Sequence, residues 1–544
     1  MALPAPAYQD AYSKSYQTQF LGLDHRIGAR DGSLWDMENL TGEYYPVMKP
    51  RKPRYLVSTL SAPRGLLASD ELCWVDGTSF YYGGEEKITG LSVSQKTLVA
   101  MGVLILIFPD NRYYNIQTGE SGSMEYEYTA AAGTATFMDG TYAEEPAERN
   151  TLRLPGTAVA QGLREYDAVT ISGSTLEKNN QTVILREIAT DSQYTYLRFY
   201  AETFDVSGGS SYTDAAAITI SRKMPDLKFP FVHDNRLWGC TKDPESGTDQ
   251  IVASALGDPF NFYAYDSASE MGSYFSDVLT PGDWTGACSF AGYPCFFKQD
   301  YIYKVYGTLP SDFSIMSAAR MGVDEGSGKS LAIAGEKLYY LSLAGVVQYA
   351  GSFPYPVGQA FGDLRFRNAV AGSDGLQYYV SMQLEDGSWK LYIYDTQTGL
   401  WHIHDGLHVL DFAWMNGGLY ALCDDGKLWF IGDSVFAPQG STREEAFDWF
   451  AETAKYRVSS PNRKRIQRAE MTAQWSEGAS VSLYFSADDE PFRLVRTIDR
   501  PGDYSVPCPI IPRRCDHFKL RIVGKGDAAL LSLTTVTEPG SEIH

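Results

Sequence analysis

A glycine-rich loop with one lysine is the first feature of this sequence that could do chemistry. The letters GSGKS at residues 326–330 follow the order of a phosphate-binding loop, in which glycine amides cradle phosphate and lysine neutralises it. The spacing does not fit, because Val323 stands where that motif needs a glycine. The following LAIAGEKLYYLS is typical of a strand and hairpin rather than of the required helix. Nucleotide binding is therefore not expected.

Two closely spaced histidines are candidate metal ligands. His402 and His404 lie two apart on a predicted strand, which directs both side chains to one side. His408 and the acidic residues Asp405 and Asp411 are near in sequence and could complete a site. An isolated His-x-His at a strand end is more often surface or turn packing. We predict no cofactor and retain the two histidines only as an alternative.

Carboxylate-containing turns recur along the chain and invite comparison with glycosidases. A glycoside hydrolase needs two carboxylates at a defined separation, and Asp76, Glu385–Asp386 and Asp424–Asp425 lie in turns similar to sialidase repeats. These turns lack the leading serine and the fixed tryptophan spacing of such repeats. Hairpin-turn chemistry explains them better. The sequence therefore predicts a protein that is not an enzyme.

Aromatic residues near the C-terminus could bind carbohydrate. Exposed aromatic side chains above a groove serve this purpose in jelly-roll domains, and Trp475, Tyr484 and Phe485 are candidates. The alternation in SVSLYFS also places half of its residues in a core. Glycan binding and core packing both remain open at this point.

The elements that would position these residues are strands in a repeated pattern. An apolar strand, a tight turn at Gly, Asp or Asn and an aromatic-rich strand recur in seven segments. These segments are 65–83, 98–119, 231–262, 288–313, 331–351, 369–404 and 412–432. Recurrence of one motif over such a length favours a six- or seven-bladed β-propeller over a sandwich. In particular, Asp234 and Asn235 are expected to begin a hairpin.

Five regions follow from the places where this repeat starts, breaks and ends. We predict an N-terminal arm (1–55), the first part of the propeller (56–120), an inserted small β-barrel (121–225), the second part of the propeller (226–438) and a jelly-roll-like β-sandwich (439–544). A short helix is expected from Thr442 to Thr453, since Phe447 and Phe450 would share one face. The fold class is all-β, with very little helix.

Basic residues end the N-terminal arm. Arg51, Lys52 and Arg54 in MKPRKPRY are candidates for pairing with an acidic neighbouring subunit. Solvation of a charged strand edge is the alternative.

Composition excludes several classes of protein. A net charge of -21 argues against a nucleic-acid binder that grips phosphates, whereas an acidic wall suits a conduit that DNA must pass without sticking. The seven cysteines are too dilute for a disulfide scaffold. No signal peptide is expected from the polar N-terminus, and no membrane span from the longest apolar stretch, 98–108.

Three stretches of sequence resemble a known family. They are DGSLWDMENLTGEYYPVMKPRKP near the start, HDNRLWG followed by ALGDPFNF, and RRCDHFKLRIVGKG near the end. The chain resembles the propeller-bearing tail proteins of bacteriophages, called stabilization, nozzle or tail-hub proteins. The resemblance covers most of the chain, and its motifs are turns and strands rather than catalytic residues.

This resemblance implies a structural component of the virion, assembled in the cytoplasm of the bacterial host. Proteins of this family form a homo-oligomeric ring, commonly sixfold, at or below the portal and adaptor. The ring encloses the channel through which double-stranded DNA leaves, without binding it specifically. A receptor- or glycan-binding tail module is the alternative function, followed by a polysaccharide-degrading enzyme.

Overall fold

The computed structural model describes residues 12–26, 28–139, 150–200, 203–265, 270–456 and 463–539. Over these residues the fold is all-β, as predicted, and α-helix is limited to the four-residue α1 (Val159–Gly162). Strands are numbered β1 to β49 along the chain. The chain divides into two compact units: Arg64–Gly322 forms one, and the segments ending at Pro63 and beginning at Val323 form the other.

The unit Arg64–Gly322 contains four antiparallel sheets of the same design. In each of them every strand pairs with the next one along the chain, as in the blades of a propeller. Sheet A is β6 (Pro63–Ala68), β7 (Leu72–Asp76), β8 (Ser79–Tyr82) and β9 (Glu85–Ile88); sheet B is β10 (Thr97–Met101), β11 (Leu104–Phe108), β12 (Arg112–Asn115) and β13 (Ser121–Ser123); sheet C is β22 (Lys228–His233), β23 (Arg236–Lys242), β24 (Asp249–Ala253) and β25 (Tyr274–Val278); sheet D is β26 (Trp284–Phe290), β27 (Tyr293–Lys298), β28 (Tyr301–Tyr306) and β29 (Ser314–Ala319).

Two-residue turns fix the register of several hairpins. The residues between β22 and β23, Asp234 and Asn235, both have positive φ (46° and 54°), and Ala291 and Gly292 between β26 and β27 do too (52° and 80°). Two successive left-handed residues form a type I′ turn, whose twist matches that of the flanking strands. Asp and Asn tolerate this conformation better than most residues do. The hairpin predicted at Asp234–Asn235 is confirmed.

Consecutive sheets of this unit pack face to face through apolar side chains. Phe80 of sheet A packs in one cluster with Ile105 and Ile107 of sheet B. Leu106 of sheet B shares another with Leu237 of sheet C, and Trp238 of sheet C packs with Phe296 of sheet D. Alternate residues of one strand thus serve the two faces of a sheet, which explains near-continuous apolar strands such as β11.

An eight-stranded sheet with its own core lies in the sequence between sheets B and C. Phe137, Leu152, Leu197 and Phe199 are among its fully buried residues. Its spatial order is β14-β21-β17-β18-β19-β16-β15-β20. The strands are β14 (Tyr126–Ala130), β15 (Thr136–Met138), β16 (Thr151–Pro155), β17 (Ala168–Ser172), β18 (Thr182–Thr190), β19 (Tyr194–Phe199), β20 (Ser211–Thr213) and β21 (Ile218–Arg222), with a 3₁₀ turn at Glu177–Asn179.

The second unit contains three more sheets built like A to D. Sheet E is β30 (Ala332–Ala334), β31 (Lys337–Ser342), β32 (Gly345–Tyr349) and β33 (Pro354–Pro356); sheet F is β34 (Phe366–Ser373), β35 (Gln377–Leu384), β36 (Trp389–Asp395) and β37 (Leu400–Ile403); sheet G is β38 (Val409–Met415), β39 (Gly418–Cys423), β40 (Lys427–Gly432), β5 (Tyr55–Thr59) and β41 (Thr442–Arg443). Short 3₁₀ turns lie at Gly328–Ser330, Gln359–Phe361 and Ser434–Phe436. The seven segments predicted from the repeat each overlap a different one of sheets A to G.

Sheet G takes its fourth strand from the other end of the chain. β5 pairs with β40 in antiparallel register, with Leu56 opposite Trp429. A strand supplied from the N-terminal segment closes the last repeat onto the start of the chain. The sheets of this unit also pack face to face in chain order. Tyr339 of sheet E stacks on Tyr378 of sheet F, and Leu391 of sheet F packs with Leu419 of sheet G.

Two five-stranded sheets complete this unit, and each contains an N-terminal strand. Sheet H is β1 (Ser13–Gln17), β49 (Ala528–Pro539), β43 (Lys464–Trp475) and β46 (Gly502–Pro509), with β47 (Arg514–Cys515) also on β43; sheet I is β2 (Leu34–Glu38), β42 (Asp448–Thr453), β48 (Phe518–Lys525), β44 (Ser480–Ala487) and β45 (Arg493–Ile498). A small sheet joins β3 (Leu40–Thr41) to β4 (Lys49–Pro50). The described residues of the predicted arm are therefore built into sheets of their own unit.

The helix predicted from Thr442 to Thr453 is wrong. The structure has the short strand β41 and the strand β42 there. Phe447 and Phe450 are spaced as on a helix, but β42 pairs with β2 on one side and β48 on the other. Long-range pairing on both sides overrides this local spacing. Over the described residues, no helix is long and apolar enough to cross a bilayer.

Candidate functional site

The two histidines proposed as metal ligands are buried side chains. His402 lies in β37 and His404 directly follows that strand, and each is only 6% exposed. Desolvation by burial lowers the pKa of His402 to about 4 and also lowers that of His404 well below its usual value. Both imidazoles are therefore neutral at neutral pH. Within the described ranges, no group of three or more His, Cys, Asp or Glu side chains is arranged to hold a metal ion.

The third histidine of WHIHDGLH lies apart from this pair. His408 stacks on the indole of Trp389, with ring centroids 3.8 Å apart. Its Nδ1 faces the Asp424 carboxylate at 3.6 Å. A packing role on sheets F and G accounts for both contacts.

The glycine- and lysine-containing loop is used for internal contacts. Lys329 Nζ donates to the Asp411 carboxylate at 2.9 Å, and the Ser330 hydroxyl accepts the backbone N–H of Leu341 at 3.0 Å. The segment turns once in a 3₁₀ conformation and then enters β30. The strand and hairpin predicted after this loop are confirmed.

The aromatic residues proposed for glycan binding occupy different environments. Trp475 at the end of β43 is 5% exposed and belongs to the main apolar cluster of its unit. It is therefore a core residue and offers no face to a sugar, contrary to the sequence-based candidate. Tyr484 is half-buried on β44, and Phe485 beside it is buried.

The carboxylate turns behave as hairpin turns. The Asp386 carboxylate accepts the backbone N–H of Ser388 at 2.9 Å, and that of Asp425 accepts the N–H of Lys427 at 3.2 Å. Such bonds stabilise the turn itself.

The basic residues of the N-terminal segment have acidic partners within their own chain. Arg51 binds the Glu444 carboxylate through both terminal nitrogens, at 2.6 and 2.9 Å. Its Nε donates to Asn39 Oδ1 at 2.8 Å, and the guanidinium lies 4.0 Å from the centre of the Phe447 ring. The expectation that Arg51 pairs with a neighbouring subunit is wrong, because its side chain is buried and already paired.

Arg54 is buried more deeply and is paired on one side only. Its side chain is 2% exposed, and Nη1 donates to the Asp405 carboxylate at 2.5 Å. Nε and Nη2 are also buried and have no hydrogen-bond partner among the described residues. Arg54, too, is unavailable to a neighbouring subunit. Lys52 remains half-exposed, with Nζ 3.1 Å from Glu43 and 3.6 Å from Asp433.

The carboxylates of this cluster stay ionised despite their burial. Burial raises the pKa of Asp405, but Arg54 and Arg51 together hold it below its usual value. Burial likewise raises the pKa of Glu444, and hydrogen bonding and attraction to Arg51 lower it further than burial raises it. Removing one partner from a buried pair leaves the other charge uncompensated. The cluster therefore fastens the N-terminal segment to Asp405, just after β37 of sheet F, and to Glu444, between β41 and β42.

A cleft of about 390 Å³ lies over this cluster, within the same unit. Arg51, Arg54, His404, Gln377 and Tyr379 form its polar floor. The Nδ1 atom of His404 is buried and, like two nitrogens of Arg54, lacks a hydrogen-bond partner among the described residues. These three atoms are enclosed by the protein beneath the cleft and have almost no accessible surface.

The rim of the cleft is acidic and partly aromatic. Asp374 lies in the β34–β35 turn, Asp395 ends β36 and Trp414 lies near the end of β38. Asp433 and Phe436 follow β40. The N-terminal segment supplies Glu43 and Lys52. Trp414 and Phe436 are 46% and 55% exposed, large fractions for such side chains. The arrangement suits binding of a small ligand through both hydrogen bonds and an aromatic face.

Sequence reasoning missed this cleft, although it singled out four of the residues at its floor and rim: Arg51, Lys52, Arg54 and His404. Asp405 lies 351 residues from Arg54, and Glu444 lies 393 residues from Arg51. No spacing pattern signals a pair so distant in sequence. The basic run MKPRKPRY, unusual in so acidic a chain, is the one signal that opposite charges had to lie nearby.

No family model matches this chain, and no curated protein matches it. Among solved structures it is similar to Hsv2 of Kluyveromyces lactis (11% identity, TM-score 0.28, covering 52% of this chain and 89% of that chain). It is similar to the β-propeller domain of the trilobed protease from Pyrococcus furiosus (10% identity, TM-score 0.26, 74% and 95%). It is also similar to the endosialidase of phage phi92 (10%, TM-score 0.23, 88% and 78%). These TM-scores are too low to support an argument about the fold. The fold is therefore described from the strand order of this chain alone.

Proposed function

We propose that this chain is a structural protein of a bacteriophage tail, a nozzle or hub that forms a ring below the portal and adaptor. In this proposal sheets A to G are the blades of one seven-bladed propeller. The eight-stranded sheet is an inserted barrel-like domain, and sheets H and I form a jelly-roll-like sandwich. The sequence resemblance described above supports the family.

The observation that carries the proposal is the way both ends of the chain enter the same sheets. β1, β2 and β5 of the N-terminal segment pair with β49, β42 and β40, which lie near the other end of the sequence. The buried ion cluster of Arg51 and Arg54 fastens the same segment again. A chain closed in this way resists opening from either end, a property that suits a scaffold under mechanical load.

The charge of the chain supports a role beside DNA in transit. At a formal net charge of -21, the acidic surface repels a phosphate backbone. Salt screens this repulsion beyond the Debye length, about 8 Å at physiological salt. A channel wall of this kind lets double-stranded DNA slide without specific binding.

Ring formation requires an exposed surface that a second copy of the chain can cover. A groove of about 310 Å³ lies beside β45, an edge strand of sheet I. It is lined by Leu494, Ile510 and Ile511, and Ile511 is 89% exposed. Exposed apolar residues beside an unpaired strand edge favour association with another chain. We assign this groove to contact between copies.

Mass photometry and negative-stain electron microscopy of the full chain test the proposal, with the protein alone and mixed with portal and adaptor from the same particle. The expected result is a closed ring, or incorporation into the portal–adaptor assembly. Ile511→Asp should reduce ring formation, whereas Leu343→Asp, at a 72% exposed position on the β31–β32 turn, should not. A chain that stays monomeric under all these conditions and never joins the assembly would overturn the structural role.

A further inference from the structure

The loop between β46 and β47 has an exposed apolar tip between two prolines. Ile511 is 89% exposed, and Pro512 beside it is also exposed. The base of the loop is fixed, because Ile510 is buried and its backbone N–H donates to a carbonyl of β43 at 2.9 Å. Pro509 and Pro512 restrict the backbone on either side of the two isoleucines. The tip (residues 511–513) is therefore held in place with an apolar side chain in solvent.

The surroundings of the tip are basic. Of the described residues that line the groove beside β45, Glu490 alone carries a carboxylate, and it faces two arginines, Arg493 at 3.3 Å and Arg513. Arg496 on β45 donates to the Pro507 carbonyl at 2.7 Å, a contact that leaves its charge in place. The tip thus lies in a positively charged region of a chain whose formal net charge is -21. An acidic partner complements it by charge.

The rim of the cleft over the buried ion cluster is acidic. It carries Glu43, Asp374, Asp395 and Asp433, and the single cation Lys52 is shared between Glu43 and Asp433. Asp374 and Asp395 accept backbone N–H groups of their own turns, which are neutral donors and leave both carboxylate charges in place. The two arginines at the floor are compensated by the carboxylates of the buried cluster. The rim is therefore negatively charged overall and complements the basic tip.

Apolar side chains line the same cleft. Leu376, Trp414 and Phe436 are 55%, 46% and 55% exposed. The Phe436 ring lies against Gly417, where a Cβ atom would come within 3.1 Å of it. Large apolar side chains that are exposed together, within a polar rim, mark a contact surface. The cleft volume of about 390 Å³ lies in the range of roughly 300–1,000 Å³ that encloses a small ligand, which leaves room for the tip of a loop.

We propose that the tip of one copy inserts into the cleft of the next copy, with Ile511 against Trp414 and Phe436 and with Arg513 among the rim carboxylates. The inference rests on the ring proposed above and names the two surfaces that join its copies. The residues that line the groove and those that line the cleft do not overlap, so the contact is head-to-tail. A head-to-tail contact generates a ring when its rotation closes, whereas two identical surfaces in contact stop at a dimer.

Mixing two variants of the full chain tests this head-to-tail contact. Ile511→Asp removes the apolar tip and keeps the cleft, whereas Trp414→Lys removes an aromatic face, repels the incoming arginine and keeps the tip. Neither variant alone should form rings in mass photometry. An equimolar mixture should form dimers that grow no further, because one intact tip meets one intact cleft. Leu343→Asp, outside both surfaces, should assemble like the wild type. Circular dichroism and thermal unfolding confirm that each variant is folded.

A peptide titration measures the cleft without requiring a ring. A fluorescein-labelled peptide of residues 509–514, PIIPRR, is titrated with the full-length Ile511→Asp variant, whose own tip cannot compete. Fluorescence anisotropy should show saturable binding that weakens by roughly tenfold when Trp414→Lys is added to this variant. Binding should also weaken between about 50 and 500 mM salt, because salt screens the attraction between arginines and rim carboxylates. Trp414→Phe should retain most of the affinity, and a peptide with the Ile511→Asp change should not bind.

The outcomes separate this inference from the ring itself. Normal rings in both Ile511→Asp and Trp414→Lys would overturn the inference and leave the ring proposal intact. A mixture without dimers, or peptide binding that Trp414→Lys does not change, would show that the tip does not enter the cleft. Displacement of the peptide by portal or adaptor, but not by the full-length Trp414→Lys variant with its intact tip, would assign the cleft to another tail protein. A wild-type chain that stays monomeric although the peptide binds its cleft would overturn the ring alone.

Discussion

The burial of His402 predicts a loss of stability in mildly acidic solution. The imidazole is enclosed by backbone: Cβ atoms built on Gly42 and Gly22 would lie 2.7 and 3.2 Å from its Cε1 atom. Burial lowers its pKa to about 4, and attraction to Asp395 offsets this only in part. The folded protein therefore keeps His402 neutral at pH values where an exposed histidine is protonated.

The magnitude follows from proton linkage. An unfolded histidine has a pKa of about 6.5. Above that value neither state binds the proton, and the stabilising contribution is complete. As the pH falls below about 6.5 only the unfolded state binds the proton, at roughly 1.4 kcal/mol per pH unit. The loss reaches about 2 kcal/mol at pH 5 and about 3 kcal/mol as the pH approaches the folded pKa of His402 near 4.

The assay is urea-induced unfolding of the full chain, followed by tryptophan fluorescence between about pH 7.5 and 5. His404 shifts in the same direction, so the wild-type profile contains more than one histidine. His402→Asn isolates one of them: the variant should be less stable at pH 7.5, and the difference should shrink by about 2 kcal/mol at pH 5. Parallel profiles for the two proteins would refute the reasoning, because His402 would then titrate alike in both states.

The remaining predictions concern the ion cluster and the packing around His402. Glu444→Gln should lower the free energy of unfolding by about 3 kcal/mol, since it leaves a buried arginine charge uncompensated, while Glu445→Gln, at an exposed position, should be nearly neutral in the same urea titration. Burial raises the pKa of Glu444 but its arginine partners lower it further, so its contribution should be complete above about pH 4.3 and lost as the pH falls through its folded pKa. An acid unfolding midpoint unchanged in Glu444→Gln would contradict this. Gly42→Ala should cost about 1–3 kcal/mol by crowding His402 and regain part of it with His402→Asn, whereas Gly28→Ala, with open space around it, should cost little. Equal melting temperatures for the two alanine variants would argue against this packing.

The fold was predictable where residues close together in the sequence determine the local structure. Left-handed turn residues such as Asp234 and Asn235 fix hairpins locally, and strands such as β11 are apolar because both faces are buried. These signals recur in each of sheets A to G, so the repeat could be located to within a few residues. The all-β class followed from the same signals.

The remaining features depend on partners that are distant in sequence. Nothing near Phe447 shows that β42 will be held between β2 and β48, and the local spacing of aromatics pointed to a helix instead. Trp475 was a candidate for carbohydrate binding as an aromatic residue of a predicted jelly roll, yet it packs in the main apolar cluster of its unit and is 5% exposed. In both cases contacts with distant parts of the chain determined the conformation or the burial, which the local sequence pattern did not determine.

The arginine cluster shows why the cleft and the closure of the chain have to be considered together. Arg54 holds the N-terminal segment through Asp405, and it also lines the cleft together with Glu43, Arg51 and Lys52 of that segment. The cleft therefore exists only while that segment is docked. By mass action, a ligand that binds only the docked state stabilises it in proportion to the logarithm of ligand concentration over Kd, which amounts to about 2.7 kcal/mol at a hundredfold excess. Occupation of the cleft should thus stabilise the docked position of the N-terminal segment.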